Sequence, residues 1–107
     1  PAAAGAAMVA VLDDPELTSS VRHHHERLDG SGYPSGLRGD DVPVLAQIVG
    51  IVDVFAALTS VRPYRVALTS DEAGRYLLRQ ARSGKFSCRY VEAFLDTIGT
   101  PEICLAS

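Results

Sequence analysis

Three places in the chain carry residue types suited to chemistry. His24 and His25 stand side by side, with His23 before them, Glu26 directly after and Asp29 a little further on. Imidazole is a ligand for Zn, Fe, Mn or Ni. Neighbouring positions on a helix point about 100° apart. Two adjacent rings therefore do not easily chelate one ion from a regular helix; each serves its own ion in a multinuclear site, or the helix ends there. A polar helix end with cationic His beside the C-terminal dipole is the plainer alternative, and His23 reads as a surface residue. The second place is Asp53, a carboxylate inside an apolar stretch. Buried there, it must be paired or bound to metal. A salt bridge to one of the arginines and a metal-ligand role stand level. Two imidazoles and a carboxylate are a partial set for a divalent metal. The third place is Arg62-Pro63-Tyr64-Arg65. Two guanidinium groups so spaced can clamp a phosphate or the edge of a guanine, or can simply be surface charge. Arg38 is a weaker candidate of the same kind.

Helices must position these groups. Residues 2–12 are strong helix formers with Gly5 as the one turn signal. Asp14 is placed to cap a second helix from Pro15 to about Arg27, with Pro15 at its first position and Glu16 in its first turn. Residues 28–43 are dense in glycine and proline, which predicts a long ordered loop. Residues 44–60 are apolar almost all the way round, as a central buried helix would be. Asp53 lies in its middle, with small residues Ala46, Gly50 and Ala57 on the same face. After the link 61–68, Thr69 and Glu72 form a capping-box pattern that starts a helix to about Ala81. Ser87 caps a last helix over 88–98, which Gly99 and Pro101 stop. Residues 100–107 read as a loose tail. No run alternates long enough for a strand. The fold class is all-α, a bundle of about five helices carrying one long loop.

The chain has 107 residues with 47% hydrophobic and 21% charged, a globular composition that excludes disorder and collagen-like repeats. Ten Lys+Arg against thirteen Asp+Glu give a net charge of -3, so no general electrostatic attraction to DNA or RNA or to an anionic membrane is expected, a local basic pocket aside. The apolar runs fall well short of the ~20 residues of a membrane span. Cys88 and Cys104 form no CxxC pair and read as small core or tail residues in a reducing compartment. The expected location is cytoplasmic.

The run His24-His25-Glu26-Arg27-Leu28-Asp29-Gly30-Ser31-Gly32-Tyr33-Pro34 resembles the HHExxDGxGYP signature of the HD-GYP family at every fixed position. Ser35-Gly36-Leu37-Arg38-Gly39 and Val42-Pro43 resemble its continuation. Val52-Asp53-Val54-Phe55, then Ala57-Leu58-Thr59-Ser60 and Arg62-Pro63-Tyr64-Arg65, are similar to its ADxxDALTS helix and RPYR end. The likeness covers residues 1–98. It implies a helical HD-type domain that hydrolyses cyclic di-GMP with metal-activated water at a bi- or trinuclear centre of Fe, Mn or a similar divalent metal. By that resemblance His24, His25 and Asp53 are metal ligands. Tyr33 lines the site, and Arg62 and Arg65 hold the guanine or phosphate. Glu26, Asp29, Gly30, Gly32 and Pro34 order the loop. The implied partners are cyclic di-GMP or a related cyclic dinucleotide, GGDEF diguanylate cyclase domains, and an upstream HD half with a receiver or sensor domain.

Two departures bear on this expectation. Ala56 stands where the family usually has a second Asp. The HD pair, a first metal-binding His and a nearby Lys lie upstream in the family, so residues 1–107 read as the C-terminal part of a domain. No catalytic group apart from the metal ligands is then expected in this chain. A phosphodiesterase piece that is inactive alone is one reading. A module that binds a cyclic dinucleotide or docks to GGDEF domains is the other. A purely structural helical remnant would leave the complete glycine-rich loop unexplained. Exposed Val9, Val11, Ile48 or Val52 would favour self-association.

Overall fold

A computed structural model of the chain describes residues 14–99. The all-α expectation holds: the described residues form four α-helices, a short 3-10 turn over Gly39–Asp41 and two isolated β-bridges. The helices are α1 (Pro15–His23), α2 (Val44–Thr59), α3 (Ser70–Arg82) and α4 (Cys88–Thr97). The helix expected over 2–12 and the tail over 100–107 lie outside the described residues.

Local chemistry starts each helix. The Asp14 carboxylate accepts from the amides of Glu16 and Leu17, both at 3.1 Å, and Pro15 follows as the first helical residue. Thr69 and Glu72 close a reciprocal capping box on α3: the Thr69 hydroxyl accepts from the Glu72 amide at 3.1 Å, and the Glu72 carboxylate from the Thr69 amide at 2.9 Å. The Ser87 hydroxyl accepts from the Tyr90 amide at 3.2 Å and starts α4. Cys88, expected as a reduced small residue, is disulfide-bonded.

The chain divides inside α2, between Gly50 and Ile51, into two compact parts. The first holds α1, the loop and the start of α2, with Ser20, Glu26, Val42 and Ala46 buried. The second is built on the pairing of amphipathic faces that α3 and α4 present to each other. Ile51, Leu77, Leu78, Ala81, Phe86, Val91 and Leu95 form its core. Phe55 meets Phe94 edge to face, with centroids 5.1 Å apart. Burying each large side chain contributes about 1.5–3 kcal/mol.

Helix α2 departs from expectation. Its apolar circumference predicts burial all round, yet Val44, Leu45, Ile48, Val49 and Val52 are exposed. Only the side carrying Ala46, Gly50 and Ile51 is buried. Asp53 is itself exposed, so the cost of burying a lone charge does not arise.

Candidate metal centre

The site begins where α1 ends. The pattern predicts a helix to Arg27, but it stops at His23, and His24 caps it in a right-handed helical conformation. His24 and His25 therefore occupy a turn, where adjacent rings are free of the 100° separation of a regular helix. Arg27 fixes this turn from within. Its Nη1 donates to the carbonyls of His24 at 3.1 Å and Glu26 at 2.9 Å, satisfying oxygens that the broken helix leaves open.

Helix α2 approaches this turn through Gly50. A Cβ on Gly50 would lie 2.6 Å from the His24 carbonyl oxygen, so any other residue would force the two apart. Asp53 stands three residues further along the same continuous helix, one turn on and on the same side. His24, His25 and Asp53 each carry a ligand atom of a kind that can hold a metal ion. The donor set of two imidazoles and a carboxylate suits a divalent transition metal.

Neighbouring groups orient both rings. The Nδ1 of His24 faces the Val21 carbonyl at 2.5 Å. A carbonyl only accepts, which assigns the proton to Nδ1 and leaves Nε2 as the lone-pair donor. The His24 and His25 rings have centroids 4.0 Å apart and are tilted by 40°. Tyr33 stacks on the other ring of the pair, its centroid 4.8 Å from that of His25 and its plane 16° from parallel. The Tyr33 amide donates to the His25 carbonyl at 3.3 Å.

The loop is held to this turn by one carboxylate. Glu26 is only 3% exposed. It accepts from the amides of Ser35 at 2.8 Å and Leu37 at 3.0 Å, and it meets His23 Nδ1 at 3.0 Å. Burial alone would push its carboxyl up. The bonds from His23, Ser35 and Leu37 outweigh that and hold it below the ordinary carboxylate range. His23, expected at the surface, is thus half-buried and engaged. Gly32 allows the closest approach of the loop: a Cβ there would run into the His25 carbonyl and the backbone of Glu26 and Arg27.

The remaining loop residues close its far end. Asp29 accepts from the Ser31 amide at 3.0 Å and the Ser31 hydroxyl at 2.6 Å, and pairs with Arg38 in a β-bridge. Gly30 has φ +82°, and the Arg38 side chain lies over it. Arg38 is therefore engaged within the loop. The Tyr33-Pro34 peptide is cis.

Arg62 and Arg65 sit in a tight turn after α2 and face each other in a β-bridge. They differ in use. Arg65 Nη2 donates to the Ala57 carbonyl at 2.6 Å and Nη1 to that of Leu58 at 3.4 Å. Arg62 and Tyr64 are exposed.

The sequence pattern singles out His24, His25 and Tyr33, whose rings the structure brings together. It misses Arg27, whose role arises only because the helix ends early. It also misses the close approach at Gly50, for which a lone glycine in an apolar helix is the available signal.

A scan against protein-family models matches the HD domain over residues 6–88. Among curated proteins, the cyclic di-GMP phosphodiesterase response regulator RpfG of Xanthomonas campestris pv. campestris (strain 8004) is 54% identical over 72 residues, covering 67% of this chain and 19% of that protein. A cyclic di-GMP phosphodiesterase of Thermotoga maritima is 47% identical over 73 residues, covering 67% of the chain and 19% of the relative. The 3'3'-cGAMP-specific phosphodiesterase 1 of Vibrio cholerae serotype O1 is 38% identical over 73 residues, with 68% and 17% covered. The chain thus spans about a fifth of the length of these relatives. Among the described residues no helix is long and apolar enough to cross a membrane.

Proposed function

Because the chain belongs to the HD domain family, we propose that it forms part of a metal-dependent phosphodiesterase that acts on a cyclic dinucleotide, cyclic di-GMP or a relative of it. The observation that carries this reading is the turn at the end of α1, which presents His24 and His25 side by side with ring centroids 4.0 Å apart. The names of the relatives supply the substrate class.

His24 would bind through Nε2, since Nδ1 is turned to the Val21 carbonyl. His25 and Asp53 would complete the group from this chain. A divalent ion held there supplies Lewis-acid chemistry, drawing charge from a phosphodiester oxygen and acidifying water. Three protein donors are fewer than two ions take, so a multinuclear centre draws its other ligands from residues beyond these three. Tyr33 keeps one face of its ring on His25 and is 58% exposed, leaving its other face open to a base. Arg62 would meet a phosphate or a guanine edge with its planar fork.

The test is Mn²⁺ titration of the whole chain by calorimetry, with cyclic di-GMP and 3'3'-cGAMP added to the loaded protein. His24→Ala and Asp53→Ala should each weaken Mn²⁺ binding by about tenfold or more. Unchanged Mn²⁺ affinity in both variants would overturn the ligand assignment. Failure of the loaded protein to bind either dinucleotide would overturn the substrate class.

A further inference from the structure

Helix α3 gathers its positive charge on one face. After Glu72 it holds Arg75, Arg79 and Arg82 and no acidic residue. Spacings of four and three residues keep the three within about 60° of one another around the helix axis. Leu77 and Ala81, on the opposite side, are buried in the core shared with α4, so packing fixes which way the arginine face looks. All three arginines are exposed, and with Leu78 they line an open groove of ≈ 220 Å³. In a chain of net charge -3 this row is a local reversal of sign.

The shape of the row selects its occupant. A rise of 1.5 Å per residue spreads the three groups over about 10 Å along the helix. One phosphate does not span that length. A nucleic-acid strand is held by long tracks of cations, and three arginines on an acidic chain do not make such a track. Carboxylates three and four residues apart on a second helix form a row with the same repeat. Each would accept two parallel N–H bonds from a planar guanidinium fork. Leu78 adds an apolar spot on which the aliphatic stems of the partner's side chains can lie.

We propose that the face of α3 formed by Arg75, Arg79 and Arg82 docks an acidic helix of another protein, one with Asp or Glu three and four residues apart. None of these arginines belongs to the candidate metal centre, so the proposal stands independently of the cyclic-dinucleotide reading. Exposed ion pairs are weak singly and are screened by salt. Docking is therefore reversible and strongest at low ionic strength.

The probe is a dye-labelled, alanine-based helical peptide with Glu at i, i+4 and i+7, titrated with the whole chain and read by fluorescence anisotropy. A second peptide has the same composition with its three Glu spread evenly around the helix. The matched peptide should bind about tenfold more tightly than the scattered one, and Arg79→Glu should lose about tenfold for it. A third peptide, with Lys in place of Glu, should bind the double variant Arg75→Glu, Arg79→Glu better than it binds the parent. That gain also shows that the variant is folded. Equal binding of the matched and scattered peptides, or no binding of the matched peptide at low salt, would overturn the proposal. So would a single-stranded oligonucleotide that binds the parent more tightly than the matched peptide and is lost in Arg79→Glu, which would give the face to a phosphate backbone.

Discussion

The ring of Tyr33 lies flat on the ring of His25, with centroids 4.8 Å apart and planes 16° from parallel. The contact joins the loop tip to the proposed ligand pair and limits rotation of the imidazole. Tyr33→Ala should weaken Mn²⁺ binding by about tenfold, the scale of an orienting neighbour. Tyr33→Phe keeps the stacked face and should bind as the parent does. Isothermal titration of both variants checks this. Equal losses in the two would assign the effect to the hydroxyl and remove stacking as its cause.

Gly50 carries the approach of α2 to the His24 turn. Gly50→Ala places a methyl 2.6 Å from the His24 carbonyl, closer than any real contact. Overpacking of this kind costs about 1–3 kcal/mol. Thermal melts should show a lowered Tm even though alanine is the better helix former. A Tm at or above that of the parent would mean that the two elements are not held together at this point.

Glu26 accepts two loop amides and meets one imidazole. Glu26→Gln keeps the shape but leaves one acceptor oxygen in place of two. At least one of the Ser35 and Leu37 amides then loses its partner, at a cost of about 1–3 kcal/mol. Hydrogen exchange at those two amides should rise while exchange within α4 stays unchanged.

The capping box of α3 predicts a pH dependence. Hydrogen bonds from the Thr69 amide and hydroxyl, aided by the charge of Arg75, hold the Glu72 carboxyl below its ordinary value of 4.5. A carboxyl depressed on folding stabilises the folded state fully above its unfolded value. That contribution fades as pH falls from 4.5 through the lower folded value. The Tm difference between the parent and Glu72→Gln should therefore be constant near neutral pH and shrink on acidification below 4.5. A difference that grows toward acid pH would contradict this sign.

Leu77 is fully buried in the core shared by α3 and α4. Leu77→Ala should destabilise by about 2–5 kcal/mol in denaturant melts. A loss under 1 kcal/mol would mean that the site collapses around the missing atoms.

The helices were legible wherever a cap and an amphipathic stripe agreed. Thr69 with Glu72, and Ser87 ahead of Val91 and Leu95, mark α3 and α4 to within a residue or so of their observed ends. The end of α1 was not legible, because His24 to Arg27 contain no helix breaker. What stops the helix is tertiary: Gly50 against the His24 carbonyl and Arg27 folded back on the turn. The exposure of α2 was hidden for a similar reason. An apolar surface signals burial without saying what covers it. For the candidate site, it was the resemblance to the HD-GYP motif that pointed to His24, His25 and Asp53. It could not separate Arg62 from Arg65, which differ only in where the carbonyls of α2 happen to point.

The carboxylate of Glu26 also sets a rule for how this stretch of chain can change. Surface loops commonly gain and lose residues without harm. Between Glu26 and Leu37 that freedom is absent, because one side chain spans nine and eleven positions to reach its two amides. An added or deleted residue would shift both amides out of reach and move Tyr33 off His25 in the same step. Exposed positions such as Ser35, which contributes its amide alone, can exchange their side chains, but the count of residues is fixed. The loop behaves as a ruler whose length is part of the site.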